Sequence, residues 1–294
     1  MKIEIPKGKY ILAVSGGVDS MVLLDLLSNS PGVDLVVAHF NHGIRSDSKE
    51  DEKLVAGTAS RYGWPLEIGY GRLGPKASED MARRARYEFL EKARLKHRAK
   101  KIITAHHQDD LIETALINVL RGTNRRGLTA VADNQRVIRP LLAFPKSEIT
   151  RYARIKKLAW REDSTNQQTD YLRNYLRIKV VTRLTPQQKI KLLSDIDNTS
   201  KHNRIINQEI ATLSRQLISN DQINRSLFAS LPNKISKEVL VHWLRGLKLG
   251  DVDRPEVNRL NLAIKTARPG TKHAVKGPVS LKVDPQTAQF QITP

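Results

Sequence analysis

The sequence predicts an α/β fold: a parallel sheet with flanking helices in residues 1–185, then a smaller, mainly helical C-terminal domain over residues 186–294. Three observations predict it. Short apolar runs alternate with amphipathic stretches through the first part, the pattern of strands joined by crossover helices. A loop of small residues, Ser15-Gly16-Gly17-Val18-Asp19-Ser20, lies between the first apolar run and the first helical spacing. Beyond Pro186 the apolar residues recur at helical spacing instead.

The elements follow in order. Residues 10–14 are apolar without a break, as a strand covered on both faces would be. After the loop, Met21, Leu24 and Leu27 begin a helix. Residues 34–40 and 101–105 read as the second and third strands, with helices over 49–62, 79–98 and 109–120. A strand around 137–139 stops at Pro140, which has no N–H to give a ladder. Helical spacing resumes over 146–157, near the capping candidate Ser147. Residues 163–170, rich in Asn, Gln and Thr, form a loop by content. A long helix then covers 186–217, with Ile190, Leu193, Ile196, Ile205, Ile206 and Ile210 as its apolar stripe. Two more helices cover 237–247 and 254–267, and residues 272–294 suggest a small hairpin.

Charge and composition narrow the function. The chain of 294 residues has 50 Lys and Arg against 30 Asp and Glu, a net charge of +20. The excess is not a detachable tail, because basic clusters recur at 83–86, 92–101, 121–126 and 151–161. Any one cluster reads most simply as a solvated helix face. Together, with a pI near 10.2, they point to a nucleic acid. Aromatic residues are only 5%, thin for a platform that stacks single-stranded bases, so a structured RNA gripped through its backbone fits better. There is no cysteine, which removes disulfides, zinc ribbons, cysteine-held clusters, thiol nucleophiles and persulfide carriers from this chain. The N-terminal residues lack the apolar stretch of a signal peptide, and no apolar run is long enough to span a bilayer. A cytoplasmic protein with no membrane partner is the expectation; homodimerisation is left open.

The 15–20 loop is the sharpest chemical signal. Two glycines allow a tight turn, so that amides and a helix N-terminus converge on phosphate oxygens, with Ser15 and Ser20 adding hydroxyls. Asp19 makes sense beside phosphates mainly if Mg²⁺ lies between them. The loop has neither the lysine of a Walker A sequence nor dinucleotide-binding Gly-x-Gly-x-x-Gly spacing. A tight turn with no ligand is the plain alternative.

This hexapeptide resembles that of the PP-loop (N-type ATP pyrophosphatase) family, whose members split ATP between its α- and β-phosphates. The resemblance implies a Rossmann-like catalytic domain. Further matches are His39-Phe40-Asn41-His42-Gly43-Ile44-Arg45, Ala82-Arg83-Arg84-Ala85-Arg86-Tyr87, the stretch from Thr104 through His106, His107, Asp109, Asp110 and Glu113 to Thr114, Arg121-Gly122-Thr123, Asp163-Ser164-Thr165-Asn166, and Tyr171-Leu172-Arg173-Asn174-Tyr175-Leu176-Arg177. In this order they resemble the lysidine synthetases of that family, over residues 10 to about 180. Leu111 and Asn124 depart from the expected Gln and Gly.

The resemblance implies a ligase that joins free L-lysine to the wobble cytidine of an isoleucine tRNA with a CAU anticodon, using ATP and Mg²⁺. It implies ATP binding by Ser15, Gly16, Gly17, Val18, Asp19, Ser20 and His39, with Asp19 also the metal ligand. Asp110 and Glu113, three apart on one helical face, can hold an ammonium group; the resemblance gives them, with Arg177, the lysine, and one of them its proton. The alternative is the ordinary preference of acids for a helix's first turn. His106 and His107 with Asp110 also raise a metal site as an alternative. The resemblance favours Arg86 for substrate activation, while Arg83, Arg121, Arg125, Arg126, Arg173 and Asn174 suit tRNA contacts. His39 is as easily structural. Other readings remain: another PP-loop tRNA-modifying enzyme, a small-molecule amide synthetase, which leaves +20 unexplained, or a basic RNA binder with a decayed nucleotide fold, which leaves the intact loop unexplained.

Overall fold

The computed structural model describes residues 1–43, 48–71, 79–123, 125–131, 137–162, 172–247, 252–275 and 278–292. Contacts divide the chain into two compact units, Met1–Ser200 and Lys201–Pro294.

The first unit is built on β1 (Gly8–Ala13), β2 (Val33–Asn41), β3 (Leu66–Tyr70), β4 (Lys101–Ile103) and β5 (Val137–Ile138), all parallel, in the order β3-β2-β1-β4-β5. Neither β3 nor its edge position is expected from the sequence: Leu-Glu-Ile-Gly-Tyr is short and only one residue in it is buried. The central strands are apolar without a break because both faces are covered. Tyr10, Leu12, Leu35 and Val37 enter one core with α1 (Val18–Ser28), whereas Ile11, Val36 and Ala38 alternate into a second core with Leu90 and Ala93 of α3 (Glu79–Lys96). Helix α1 is buried on nearly every side, from Ser20 to Leu27.

The remaining helices of this unit are α2 (Ser48–Arg61), α4 (Gln108–Leu120), α5 (Arg125–Leu128), α6 (Lys146–Ile155), α7 (Leu172–Lys179) and the first part of α8 (Pro186–Leu217). Two tyrosines clamp α1 between α2 and α6: the hydroxyls of Tyr62 and Tyr152 donate to the two oxygens of buried Asp25, at 2.6 and 2.7 Å. The chain winds outward from β1 through β2 to β3, then crosses back to β4. The carboxyl ends of β1 and β4 therefore diverge at a switch point, where open α/β sheets bind ligands.

Helix α8 runs 32 residues without interruption and crosses from one unit into the other. Its expected stripe is only partly buried. Ile196 and Ile210 are covered, but Ile190, Ile205 and Ile206 are exposed, because at 3.6 residues per turn these positions do not share one face of the helix.

In the second unit α9 (Arg225–Ser230), α10 (Asn233–Gly246) and α11 (Arg254–Thr266) pack Phe228, Leu240 and Ile264 against a sheet ordered β6-β7-β10-β9-β8. Strands β9 (Val279–Val283) and β10 (Thr287–Ile292) form the expected terminal hairpin, but the antiparallel sheet extends past it. Strands β6 (Ile218–Ser219), β7 (Gln222–Asn224) and β8 (Thr271–Ala274) complete it, too short or too polar to show an alternating pattern. Among the described residues no helix is long and apolar enough to cross a membrane.

Candidate active site

The loop after β1 opens one side of the switch point. Gly16 has φ +91°, a conformation that side chains rarely adopt, and Gly17 caps α1 in an extended conformation with no side-chain bond to the helix amides. Amides at a helix start with no side-chain cap can take an anion. Hydroxyls line the same turn: Ser20 Oγ lies 3.3 Å from Ser15 Oγ, accepts from the Ser15 N–H at 3.2 Å and donates to the Gly17 carbonyl at 2.9 Å. The loop is braced from outside, since the Arg161 N–H donates to the Gly16 carbonyl at 3.0 Å and its Nε to Asp51 Oδ1 at 2.8 Å.

Asp19, in the first turn of α1, has both oxygens engaged by Lys146 Nζ, at 2.6 and 2.7 Å. The buried His39 ring at the end of β2 shares a hydrogen bond of 2.9 Å between Nδ1 and the Val14 carbonyl; its buried Nε2 has no partner among the described residues. His39 thus ties two strand ends together at the crevice.

The segment after β4 supplies the other side. Thr104 Oγ1 lies 2.8 Å from His106 Nδ1. Burial, with Arg139, Arg83 and Arg86 nearby, pushes the His106 ring down to about 3 against the pull of Asp110, so it is neutral. His107 is buried, with Nε2 3.4 Å from Asp110 and 3.7 Å from Asp19. Its N–H donates to Asp110 Oδ2 at 2.9 Å, fixing that carboxylate at the N-terminus of α4. Burial alone would raise Asp110; His107, this N–H and Arg177 outweigh it and hold the carboxyl below its usual value.

One turn along, Glu113 is fully buried. Arg177 from α7 grips it with Nε at 2.7 Å and Nη2 at 2.8 Å, and reaches Asp110 at 3.5 Å. Burial raises Glu113 above the usual carboxylate value in spite of this partner, and Glu113 in turn raises Arg177 against the effect of its own burial. Arg173 donates to Thr114 Oγ1 at 3.1 Å and has Nε 3.9 Å from Glu113. The acid pair therefore does hold a cation here, a guanidinium of the chain itself.

Arg83 and Arg86 share the Tyr87 ring, their guanidinium carbons 4.9 and 5.6 Å from its centre. Arg121 lies at the opposite end of α4, roughly 16 Å from Asp110 by helical rise, and Arg125 and Arg126 follow on the short helix α5. Asn174, on α7 beside Arg173, is half-buried. Among the described residues no three His, Asp or Glu side chains form a metal-holding group. The expected loop at 163–170, together with Ile44, Arg45, Asn124 and Tyr171, lies outside the described residues.

Sequence reasoning missed Lys146, Arg139, Arg161 with Asp51, and Lys189, whose Nζ lies 3.3 Å from both oxygens of Asp109. Only Lys146 carried a local signal, as a cation at the start of a helix where the dipole disfavours it.

A parallel sheet with a glycine-serine loop and a free helix N-terminus at its switch point defines an α/β nucleotide-binding domain. Residues 2–184 match the family described as the PP-loop domain, and the chain belongs to that family, which implies ATP binding. The chain is 34% identical over 243 residues to the tRNA(Ile)-lysidine synthase of Lactococcus lactis, covering 79% of this chain and 55% of that one. It is 41% identical over 182 residues to the tRNA(Ile)-lysidine synthase of Thermus thermophilus, covering 60% of this chain and 35% of that one. The chain thus spans between about a third and a little over half of these relatives' length. Among solved structures, the U34-tRNA thiolase NcsA of Methanococcus maripaludis superimposes with a TM-score of 0.54 at 16% identity, over 67% of this chain and 74% of that one, which shows a shared fold.

Proposed function

We propose that the chain joins free L-lysine to carbon 2 of the wobble cytidine in an isoleucine tRNA with a CAU anticodon, at the expense of ATP. One observation carries it. The His107 ring lies within 3.7 Å of Asp19 in the nucleotide loop and 3.4 Å of Asp110 in the acid pair, so both face one crevice. Ligation of an activated base to an amine requires that adjacency. The names of the relatives and the net charge of +20 support the same choice of substrate.

In the first step oxygen 2 of the cytosine attacks the ATP α-phosphorus, and pyrophosphate leaves. Loop amides and the Ser15 and Ser20 hydroxyls hold the phosphates, with Arg86 and Arg83 beside the activated base. Asp19 fits a Mg²⁺ ion, since its carboxylate already engages a cation and no protein cage surrounds it among the described residues, so phosphate and water would complete the coordination. Bound there, Mg²⁺ would supply neutralisation of phosphate charge. In the second step the lysine ε-amine attacks carbon 2 and AMP departs. Asp110 and Glu113 orient the amine. Glu113, its proton affinity raised by burial, takes the amine's proton, while Arg177 holds the lysine carboxylate or keeps the acid pair in place. Residues 1–185 carry the chemistry, and residues 186–294 grip the tRNA.

No cysteine is present in this chain to carry sulfur or release ammonia from glutamine, which sets it apart from thiolase chemistry. Incubation with ATP, Mg²⁺, labelled lysine and bulk tRNA tests the proposal. AMP release and label in tRNA should both require lysine and tRNA together. Lysine-dependent AMP release without tRNA would indicate an amide synthetase, and no turnover a binding protein. Asp19→Ala should abolish pyrophosphate release; near-normal turnover in that variant would overturn the nucleotide assignment.

A further inference from the structure

Phosphate-binding loops of the Walker type carry their own lysine, and residues 15–20 have none. The fold supplies one from 127 residues away: Lys146, the first residue of α6, places Nζ 2.6 and 2.7 Å from the two oxygens of Asp19. We infer that Lys146 is the resident counter-ion of the nucleotide loop, neutralising Asp19 when the site is empty and passing to the pyrophosphate oxygens when a divalent cation takes Asp19. This rests on the ATP site proposed above.

The position serves no helix-building purpose. A cation at the start of α6 is disfavoured by the dipole, and Pro145 at the cap offers no side-chain bond. The Lys146 side chain is 40% exposed, so the pair adds little stability and the ammonium can move. Its backbone is held. Ile149 and Ala153 of α6 are fully buried, and the Tyr152 hydroxyl is bonded at 2.7 Å to Asp25 of α1, the same helix that carries Asp19. A fixed stem with a mobile charge next to the loop is what an ion exchange at that carboxylate needs. When the bond from the α-phosphorus to the bridging oxygen breaks, the electron pair stays on that oxygen as part of pyrophosphate. Lys146 neutralises this charge as an intact ammonium, with no proton transferred.

The test uses Lys146→Met and Lys146→Arg in the full chain, reading binding rather than turnover. Without nucleotide, Mn²⁺ followed by electron paramagnetic resonance should bind Lys146→Met several-fold more tightly than the parent, since its competitor for Asp19 is gone. With saturating Mg²⁺, calorimetry should show inorganic pyrophosphate binding Lys146→Met about 10-fold or more weakly, the worth of a charge-assisted hydrogen bond. Lys146→Arg should stay near the parent in both. Equal pyrophosphate affinity in parent and Lys146→Met, or unchanged Mn²⁺ affinity, overturns the exchange while leaving the ATP site intact. A parent protein that binds neither ATP nor pyrophosphate overturns the ATP site itself, and the exchange with it.

Discussion

Arg177 closes on Glu113 with two parallel hydrogen bonds, at 2.7 and 2.8 Å, in a place where Glu113 has no contact with solvent. Each group answers for the other's burial. Removing the guanidinium leaves a buried carboxylate to be protonated or exposed, so Arg177→Met should cost about 1–3 kcal/mol of stability. Glu113→Gln removes charge but keeps shape and should cost less. In kinetics the order reverses. Glu113→Gln should leave tRNA-dependent pyrophosphate release intact and raise the lysine KM about 10-fold or more, through loss of a charged contact to the ammonium. Chemical denaturation and separate assays of the two half-reactions check this, and unchanged lysine kinetics would refute the role of Glu113.

Two groups of the site titrate in opposite senses. Burial raises Glu113 above 4.5, so its contribution to stability is complete below that value and is lost as pH rises through the folded value. His106 is pushed down from 6.5 to about 3, so the unfolded chain binds a proton that the native site refuses, and stability falls as pH drops from 6.5 towards 3. Urea midpoints at pH 5 and 7 should show the parent losing up to about 1 kcal/mol per pH unit from this source, and His106→Asn losing less. In single-turnover lysine transfer the acid limb should have its midpoint above the ordinary Glu value and vanish in Glu113→Gln.

Much of this site was legible in sequence because it lies on contiguous segments. The loop at 15–20, the acids at 110 and 113 and the arginines at 173 and 177 each show their chemistry locally, by glycine pairs or by spacings of three and four. What was not legible is the pairing between segments. Lys146 with Asp19 and Arg161 with Asp51 join residues 127 and 110 positions apart, and only the winding of the sheet brings them together. Burial was misjudged as well. Ile205 is one case: it belongs to an apolar series, but at 3.6 residues per turn it stands opposite the buried Ile196 and meets solvent. Strand β3 escaped because an edge strand with one buried residue has no apolar run to show.

Gly16 is held at φ +91° although there is room for a methyl group, the nearest atom to such a carbon being Asp51 Cβ at 3.5 Å. Gly16→Ala should therefore cost backbone strain rather than a clash, about 1–3 kcal/mol if the loop keeps its shape. Any relief bends the turn that aims the amides and Ser20. ATP affinity should thus fall with stability, whereas Gly57→Ala, in the interior of α2 with nothing within 4 Å, should be neutral or stabilising for folding and silent for ATP. Thermal melts with and without ATP read both effects.

Salt should tell Arg121, assigned to tRNA, from Arg86, assigned to substrate activation. Arg83 and Arg86 stack on Tyr87 beside His106 at the crevice, whereas Arg121 is exposed at the far end of α4. If Arg121 meets a phosphate, Arg121→Ala should weaken tRNA binding uniformly and lower the slope of log affinity against log salt by about 0.7–0.9, the counterions released by one contact. Its kcat at saturating tRNA should stay near the parent value. Arg86→Ala should do the reverse, lowering the rate of pyrophosphate release while the salt slope hardly moves, because its charge is spent on the reacting base and α-phosphate. Filter binding across a salt series, run beside pyrophosphate-release assays, separates the two. An Arg121→Ala slope equal to the parent's would place tRNA on another face of the chain.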